Sequence, residues 1–416
     1  MSRSRVLLVA APNSYRTAPF IEAAREYGID LLIASEGRYS LVDAVSQGLQ
    51  IDFNDPQNSL ARIEKEAKRG VFCGVIATDD SATELASLAA LRLGLPHNRP
   101  QAVQIARRKD LARYALADAE VPVPRFTLIS LDRSLRFQIR GFPFPCVIKP
   151  LAMSGSRGVI RCDNFDEFLD AARRIESIIA EALDQSERRR FLVESFIPGS
   201  EIAVEGLLSR GRFDVLAIFD KPEALDGPYF EETYYVTPTR LGRSSCEQVQ
   251  ATVEKACRAY GLVHGPIHAE CRINPDGVWM LELAARTIGG LCSRLFRYGV
   301  GYSLEQLVLQ HAMGVCPDRP VMTGAAGVLM IPIPNGGVLR RIEGVSAASQ
   351  VTYIREVSIQ VREGYELVPL PEGSSYLGFI FAVAPDPEKA EHALREAHSR
   401  LNIVIAPLWK AVSHRV

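Results

Sequence analysis

Two glutamates twelve positions apart open the chemical reading of this chain. They lie in Ile267-His268-Ala269-Glu270-Cys271-Arg272-Ile273-Asn274-Pro275-Asp276-Gly277-Val278-Trp279-Met280-Leu281-Glu282-Leu283. Asn-Pro-Asp-Gly suits a type I turn with glycine in the left-handed position, which predicts a three-residue hairpin loop with a G1 bulge. In that register Asn274 faces Val278, Arg272 faces Met280 and Glu270 faces Glu282, with His268 and Arg272 on the same side. Like charges opposed across a sheet repel, so the pair needs a shared proton or a cation between its members. Hard oxygen ligands point to magnesium. A two-residue loop would instead put the glutamates on opposite faces, one of them pairing with Arg272 or Arg286. The hairpin alone leaves both arrangements open.

Further candidates stand in chain order: Lys109 in Arg107-Arg108-Lys109, Lys149 in Val147-Ile148-Lys149-Pro150, the loop Ser154-Gly155-Ser156-Arg157-Gly158, and Glu194, Phe196 and Glu201 in Val-Glu-Ser-Phe-Ile-Pro-Gly-Ser-Glu. Together with Glu270 and Glu282 they resemble the ATP-grasp superfamily over essentially the whole chain. None is specific by itself; their order and spacing carry the likeness. The resemblance implies Mg-ATP, with Mn2+ as the substitute metal, and makes Glu270 and Glu282 the metal ligands. Phosphoryl transfer is catalysed mainly by positioning and by cations that neutralise the moving group, and Lys109 and Lys149 would do that work. Ser154, Gly155, Ser156 and Gly158 would fold over the phosphates and offer backbone N–H groups. Glu194 and Phe196 fall at the adenine-binding hinge and Glu201 at the ribose, while Lys221 is similar to a third phosphate-contacting lysine of some members.

Many members carry an asparagine two positions after the second glutamate, where this chain has Ala284. That departure matches the Glu-x-Ala-Ala-Arg pattern of the L-amino acid ligase branch, which makes dipeptides. There Arg286 would stabilise the acyl phosphate or a substrate carboxylate, a task suited to its planar fork. His268 is a candidate general base for the amine or donor to the oxyanion, its alternative being a structural place beside a carboxylate.

Holding these groups takes several modules, because 416 residues exceed one ordinary core. Strand and helix patterns alternate over 5–10, 16–27, 30–34, 71–77 and 80–94, which predicts an open α/β sheet. Its first loop, Ala10-Ala11-Pro12-Asn13-Ser14, has no glycine, so the dinucleotide fingerprint is missing and a dehydrogenase is disfavoured; no P-loop is present either. One helix is expected over 100–119, ending before the prolines 122 and 124. A strand, the glycine-rich loop, a strand, a long helix and a strand then predict a small lid. From 201 to about 285 the pattern is mainly strands, followed by a helix near 303–313 and a strand-rich last module. The expected fold class is therefore an α/β and α+β multidomain ATP-grasp fold. Its parts are a pre-ATP-grasp domain with linker helix at 1–119, a lid at 120–195, a catalytic subdomain with a central antiparallel sheet at 196–319, and a C-terminal ligase-type domain at 320–416.

A formal net charge of −1 gives no electrostatic reason to expect nucleic acid or an anionic membrane. The first apolar run, Val6 to Ala11, is too short for a signal peptide, and a cytoplasmic location is the expectation. Eight cysteines without a CxxC pair read as reduced thiols. A homodimer is the default oligomer. The function expected is an ATP-dependent carboxylate–amine ligase that forms an amide through an acyl phosphate, releases ADP and phosphate, and activates an L-amino acid. Its partners would be a small carboxylate and an amine, drawn into a pocket from 226–238 and 287–292. The alternatives are a purine-biosynthesis-type ligase, a biotin-dependent carboxylase component, which normally brings an Ala-Met-Lys-Met motif absent here, and a non-catalytic nucleotide or amino-acid binding protein of the same fold.

Overall fold

The structure is a computed structural model that describes residues 5–36, 48–182, 184–315 and 323–408. Near the N-terminus a parallel sheet runs in the order Gly48–Gln50, Asp30–Ser35, Arg5–Ala10, Phe72–Ala77. Every residue of Arg5–Ala10 is buried, as expected of a central parallel strand covered on both faces. The loops at the carboxyl ends of these strands, which carry Tyr15, Arg16, Asp79 and Asp80, face the middle of the molecule.

The expected single helix over 100–119 is two, Pro100–Arg107 and Lys109–Asp118. No glycine or proline breaks it. The break is tertiary: Arg108 is extended, its guanidinium clamps Asp110, and the Lys109 N–H donates to Leu151 O at 2.8 Å instead of to its own helix. Lys109 thereby becomes a first-turn residue aimed at the lid.

The lid is a four-stranded sheet, ordered Phe126–Ser130, Arg190–Ser195, Cys146–Lys149, Ile160–Cys162, under the helix Phe165–Ile179. Asn164 caps that helix by accepting from the N–H groups of Asp166 and Glu167. Phe168, Ala172, Ile175 and Ile179 share one face and fill the lid core with Phe191 and Val193; burying each large side chain contributes roughly 1.5–3 kcal/mol.

An eight-stranded antiparallel sheet forms the floor, in the order Gly277–Ala284, His264–Asn274, Ser200–Ser209, Arg212–Lys221, Tyr234–Thr237, Ala325–Ile331, Gly378–Ala384, Ile354–Ile359. The stretch expected to be mainly strands also holds an 18-residue helix, Arg243–Tyr260. Val249, Val253, Ala256 and Tyr260 form its apolar stripe, hidden in the sequence by a polar first turn, and Gly261 ends it at φ +77°. The expected boundary at 319/320 and Cys316 lie outside the described residues. The other seven cysteines are free thiols. No helix among the described residues is long and apolar enough to cross a membrane.

Candidate active site

Lid, floor, N-terminal loops and a C-terminal segment enclose a cleft of about 700 Å3. The predicted three-residue turn at its floor does not form. Asn274 pairs with Gly277, leaving a two-residue loop that the Asn274 side chain ties down by accepting from Asp276 N at 3.0 Å and Trp279 Nε1 at 3.1 Å. Arg272 then pairs with Trp279 and Cys271 with Met280. Continued regularly, this ladder would set Glu282 opposite Ala269, on the core face. An extra residue, Leu281, bulges out before the next pair, and Glu270 meets Glu282 after all. The facing carboxylates come from a second irregularity, not from the turn.

These carboxylates are held by cations. Lys221 Nζ lies 3.1 Å from Glu270, 2.9 Å from Glu201 and 2.6 Å from Glu232, and Lys109 Nζ lies 3.5 Å from Glu282. Burial would raise the Glu270 pKa, but Lys221 and His268 outweigh it and hold it down to about 2. Burial would likewise discharge Lys221, yet its three carboxylates keep it charged, well above the ordinary lysine range. Glu201, Glu232 and Glu270 each offer an oxygen within 4.8 Å of the others. Lys221 already bridges that trio, so the hard carboxylate oxygens that fit a magnesium ion are those of Glu270 and the facing Glu282.

On the lid side, Glu194 is buried and doubly bonded, by Arg113 Nε at 2.6 Å and Lys149 Nζ at 2.7 Å. Burial works against its charge, and the two cations still bring its pKa to about 2. The hinge beyond it is engaged within the protein: Phe196 N–H donates to Pro145 O, and Ile197 O accepts from Arg272. The guanidinium groups of Arg161 and Arg272 lie 4.4 and 4.9 Å from the centre of the Phe196 ring. Glu201 accepts from Lys221 and Arg272 with separate oxygens. Ser154, Gly155 and Ser156 line the cleft. Two expected contacts are placed elsewhere. The Gly158 N–H donates to Pro371 O at 2.9 Å, and Lys221 is buried behind the acidic cluster and off the cleft wall.

His268 donates from Nδ1 to Glu205 Oε1 at 2.7 Å and turns Nε2 toward Glu270 at 3.5 Å. Burial lowers its pKa, but the two carboxylates raise it further, to about 9. The two carboxylates favour the protonated ring, whose hydrogen bond is to Glu205 and whose Nε2 is turned to the cleft. Arg286 pairs with neither glutamate of the hairpin: Nε donates to Asp80 at 2.9 Å and Nη1 to Thr287 O at 2.9 Å. Beside it, Arg16 Nη1 bonds Asp79 at 2.5 Å and Nε bonds Ile288 O at 3.3 Å.

Sequence reasoning named neither Arg113, Glu205 and Glu232 nor Arg16, Asp79 and Asp80. Asp79 and Asp80 had a signal, since side chains just past the carboxyl end of a parallel strand commonly line a site. Glu232, with Phe230 and Tyr235, comes from the loop expected to supply pocket residues, as do Gly289, Gly290 and Cys292 from theirs. Ser374, Ser375, Tyr376 and Phe379 of the C-terminal part also line the cleft.

Comparison with known proteins bears on the fold and the domains. A profile of the ATP-grasp domain matches residues 142–294, and one of the L-amino acid ligase C-terminal domain 2 matches residues 329–406. The crystal structure of L-amino acid ligase from Bacillus licheniformis superposes with a TM-score of 0.84 at 25% identity, covering 98% of this chain and all of that one. The chain carries an ATP-grasp domain followed by an L-amino acid ligase C-terminal domain. Among curated relatives of this ligase, carnosine synthase 1 of Gallus gallus is 28% identical over 83% of the chain, which spans only 39% of that protein. Alanine–anticapsin ligase of Bacillus subtilis strain 168 is 24% identical over 62% of the chain and 58% of its own length. N5-carboxyaminoimidazole ribonucleotide synthetase from Thermotoga maritima, with a TM-score of 0.70 and 14% identity, shares the fold alone.

Proposed function

We propose that this ATP-grasp ligase activates the carboxylate of an L-amino acid as an acyl phosphate and joins it to a second small-molecule amine, releasing ADP and phosphate. The observation that carries the reading is the facing of Glu270 and Glu282 in a cleft that also presents Lys109, Lys149 and Arg286. Supporting it are the ligase-type C-terminal domain and the amino-acid ligase and synthase activities named in the relatives above.

In the first step a carboxylate oxygen attacks the γ-phosphorus, the bond to the β,γ-bridging oxygen breaks, and ADP leaves. A magnesium ion held by Glu270 and Glu282, or manganese in its place, would neutralise the phosphate oxygens. Lys149 and Lys109 add positive charge along the triphosphate, and the 154–156 loop closes over it and excludes water. Glu201, with lone pairs left after Lys221 and Arg272, accepts from the ribose hydroxyls. Arg286, its plane fixed by Asp80 and Thr287 O, keeps Nη2 for the substrate carboxylate or the acyl phosphate. In the second step the amine attacks the acyl carbon, and phosphate departs with the C–O electron pair and carries off, as hydrogen phosphate, the proton that the amine loses. His268 Nε2, as a donor, stabilises the oxyanion between those events.

The test is a mass-spectrometric screen of paired amino acids with Mg-ATP. A new amide mass with ADP and phosphate supports the ligase. AMP would reject the acyl phosphate, and tight ATP binding without turnover on any pair would favour a binding protein of the same fold.

A further inference from the structure

Arg113 is an arginine with no solvent and no place on the cleft wall. It is 1% exposed and is among the largest fully buried side chains of the chain. A buried guanidinium persists only where its N–H groups are matched, and here the partners belong to two different walls of the site. Nε donates to Glu194, which holds Lys149; Nη2 donates to Leu281 O at 2.6 Å. Leu281 is the bulged residue, the one whose insertion turns Glu282 from the core face to the cleft.

A bulge leaves its extra residue without a ladder partner, so a half-buried carbonyl there needs another donor. The Arg113 fork supplies it. The same helix carries Lys109 one turn earlier, on the same face, 3.5 Å from Glu282. One short helix thus sets the metal-facing carboxylate, its lysine partner and, through Glu194, the lid lysine.

We propose that Arg113 is the positioning residue of the nucleotide–metal site: its guanidinium fixes the Leu281 bulge and the Glu194–Lys149 pair in one plane while touching neither nucleotide nor metal. This rests on the ligase reading. A lysine at this position supplies charge to Glu194 but not a planar fork that also reaches Leu281 O.

The experiment compares the full chain with Arg113→Lys and Arg113→Met. Mn2+ binding is followed by electron paramagnetic resonance in the presence of ADP, the Mg2+ dependence of turnover is measured at saturating ATP, and thermal unfolding reports the fold. Arg113→Lys is expected to fold, to weaken Mn2+ binding about tenfold and to raise the half-saturating Mg2+ by about as much, with a smaller change in the KM for ATP. A folded variant with wild-type Mn2+ affinity overturns the proposal, as does a fall in kcat at unchanged metal dependence. Failure of both variants to fold also overturns it, marking Arg113 as a core residue only. Should the wild type bind Mn2+ and ADP yet turn over no substrate, the ligase reading fails, and the Mn2+ affinities of wild type and variant still decide the role of Arg113.

Discussion

The two walls of the cleft balance their charges in opposite ways. On the lid wall one carboxylate, Glu194, is shared by two cations, Arg113 and Lys149. On the floor four carboxylates, Glu201, Glu232, Glu270 and Glu282, meet Lys221, Lys109 and Arg272. The lid wall therefore has cationic charge to spare for phosphates, and the floor has acidic charge to spare for a metal. Coulomb repulsion inside a low-dielectric cleft is strong, and on the proposed function both arrangements would be relieved by the same ligand, a metal-bound nucleotide between them. A burial argument by itself would have favoured neutral residues on both sides.

The largest effect comes from neutralising the floor. Glu270→Gln and Glu282→Gln should each lower kcat/KM by about a thousandfold, on the order of 4 kcal/mol of transition-state stabilisation, with unfolding temperatures little changed. A variant that keeps a tenth of the activity in Mg2+ titrations would show that the acidic wall does not serve a metal. Lys149→Met tests the lid wall. Arg113 still satisfies Glu194 there, so the fold should hold while the KM for ATP rises roughly tenfold to a hundredfold. An unchanged KM would move the phosphates away from the lid.

A smaller change is expected where the lid meets the C-terminal part. Arg174 grips the Glu372 carboxylate with Nε at 2.7 Å and Nη2 at 2.9 Å, and Arg157 Nε donates to Glu372 O at 2.7 Å. These groups are partly exposed, and exposed pairs are individually weak. Glu372→Ala should speed nucleotide release about threefold in stopped-flow displacement, less so at high salt. Equal release rates at low salt would show that the pair does not hold the lid.

How much of this was legible in the sequence depended on whether one element or two decided the outcome. The order of strand, glycine-rich loop, lid helix and hinge follows from local periodicity, and the structure has all of it. The pairing of Glu270 with Glu282 was foreseen, but by the wrong route: Asn274 chose the shorter loop, and the Leu281 bulge restored the register through a bond from Arg113. The split of the linker helix at Arg108 is equally non-local, set by Leu151 O. Arg286 was singled out by its spacing from Glu282, yet its partner Asp80 is 206 positions away. Long-range pairs such as these leave no period in a sequence, which is why Arg113 and Glu205 went unmarked.

The smallest effect separates two kinds of buried histidine. At the far end of the His264–Asn274 strand from Glu270, His264 and His311 stack at 4.5 Å, with His311 Nε2 3.0 Å from Ser209 Oγ. Burial, then the neighbouring His311 and His97, depresses the His264 pKa to about 4, and burial also lowers that of His311. For His264, between about 4 and 6.5 the unfolded chain binds more protons, so its contribution is complete above 6.5 and lost as the pH falls toward 4. His268 has the opposite sign: raised to about 9, it stabilises fully below 6.5 and loses that contribution as the pH rises through 9. After allowance for the solvent reaching the His264 ring, the acid-side loss is about 1–2 kcal/mol. The unfolding temperature of the wild type should therefore drop a few degrees more between pH 7 and pH 5 than that of His264→Gln. Parallel pH profiles for the two proteins would mean that the stacked pair titrates alike folded and unfolded, and that its burial carries no charge penalty.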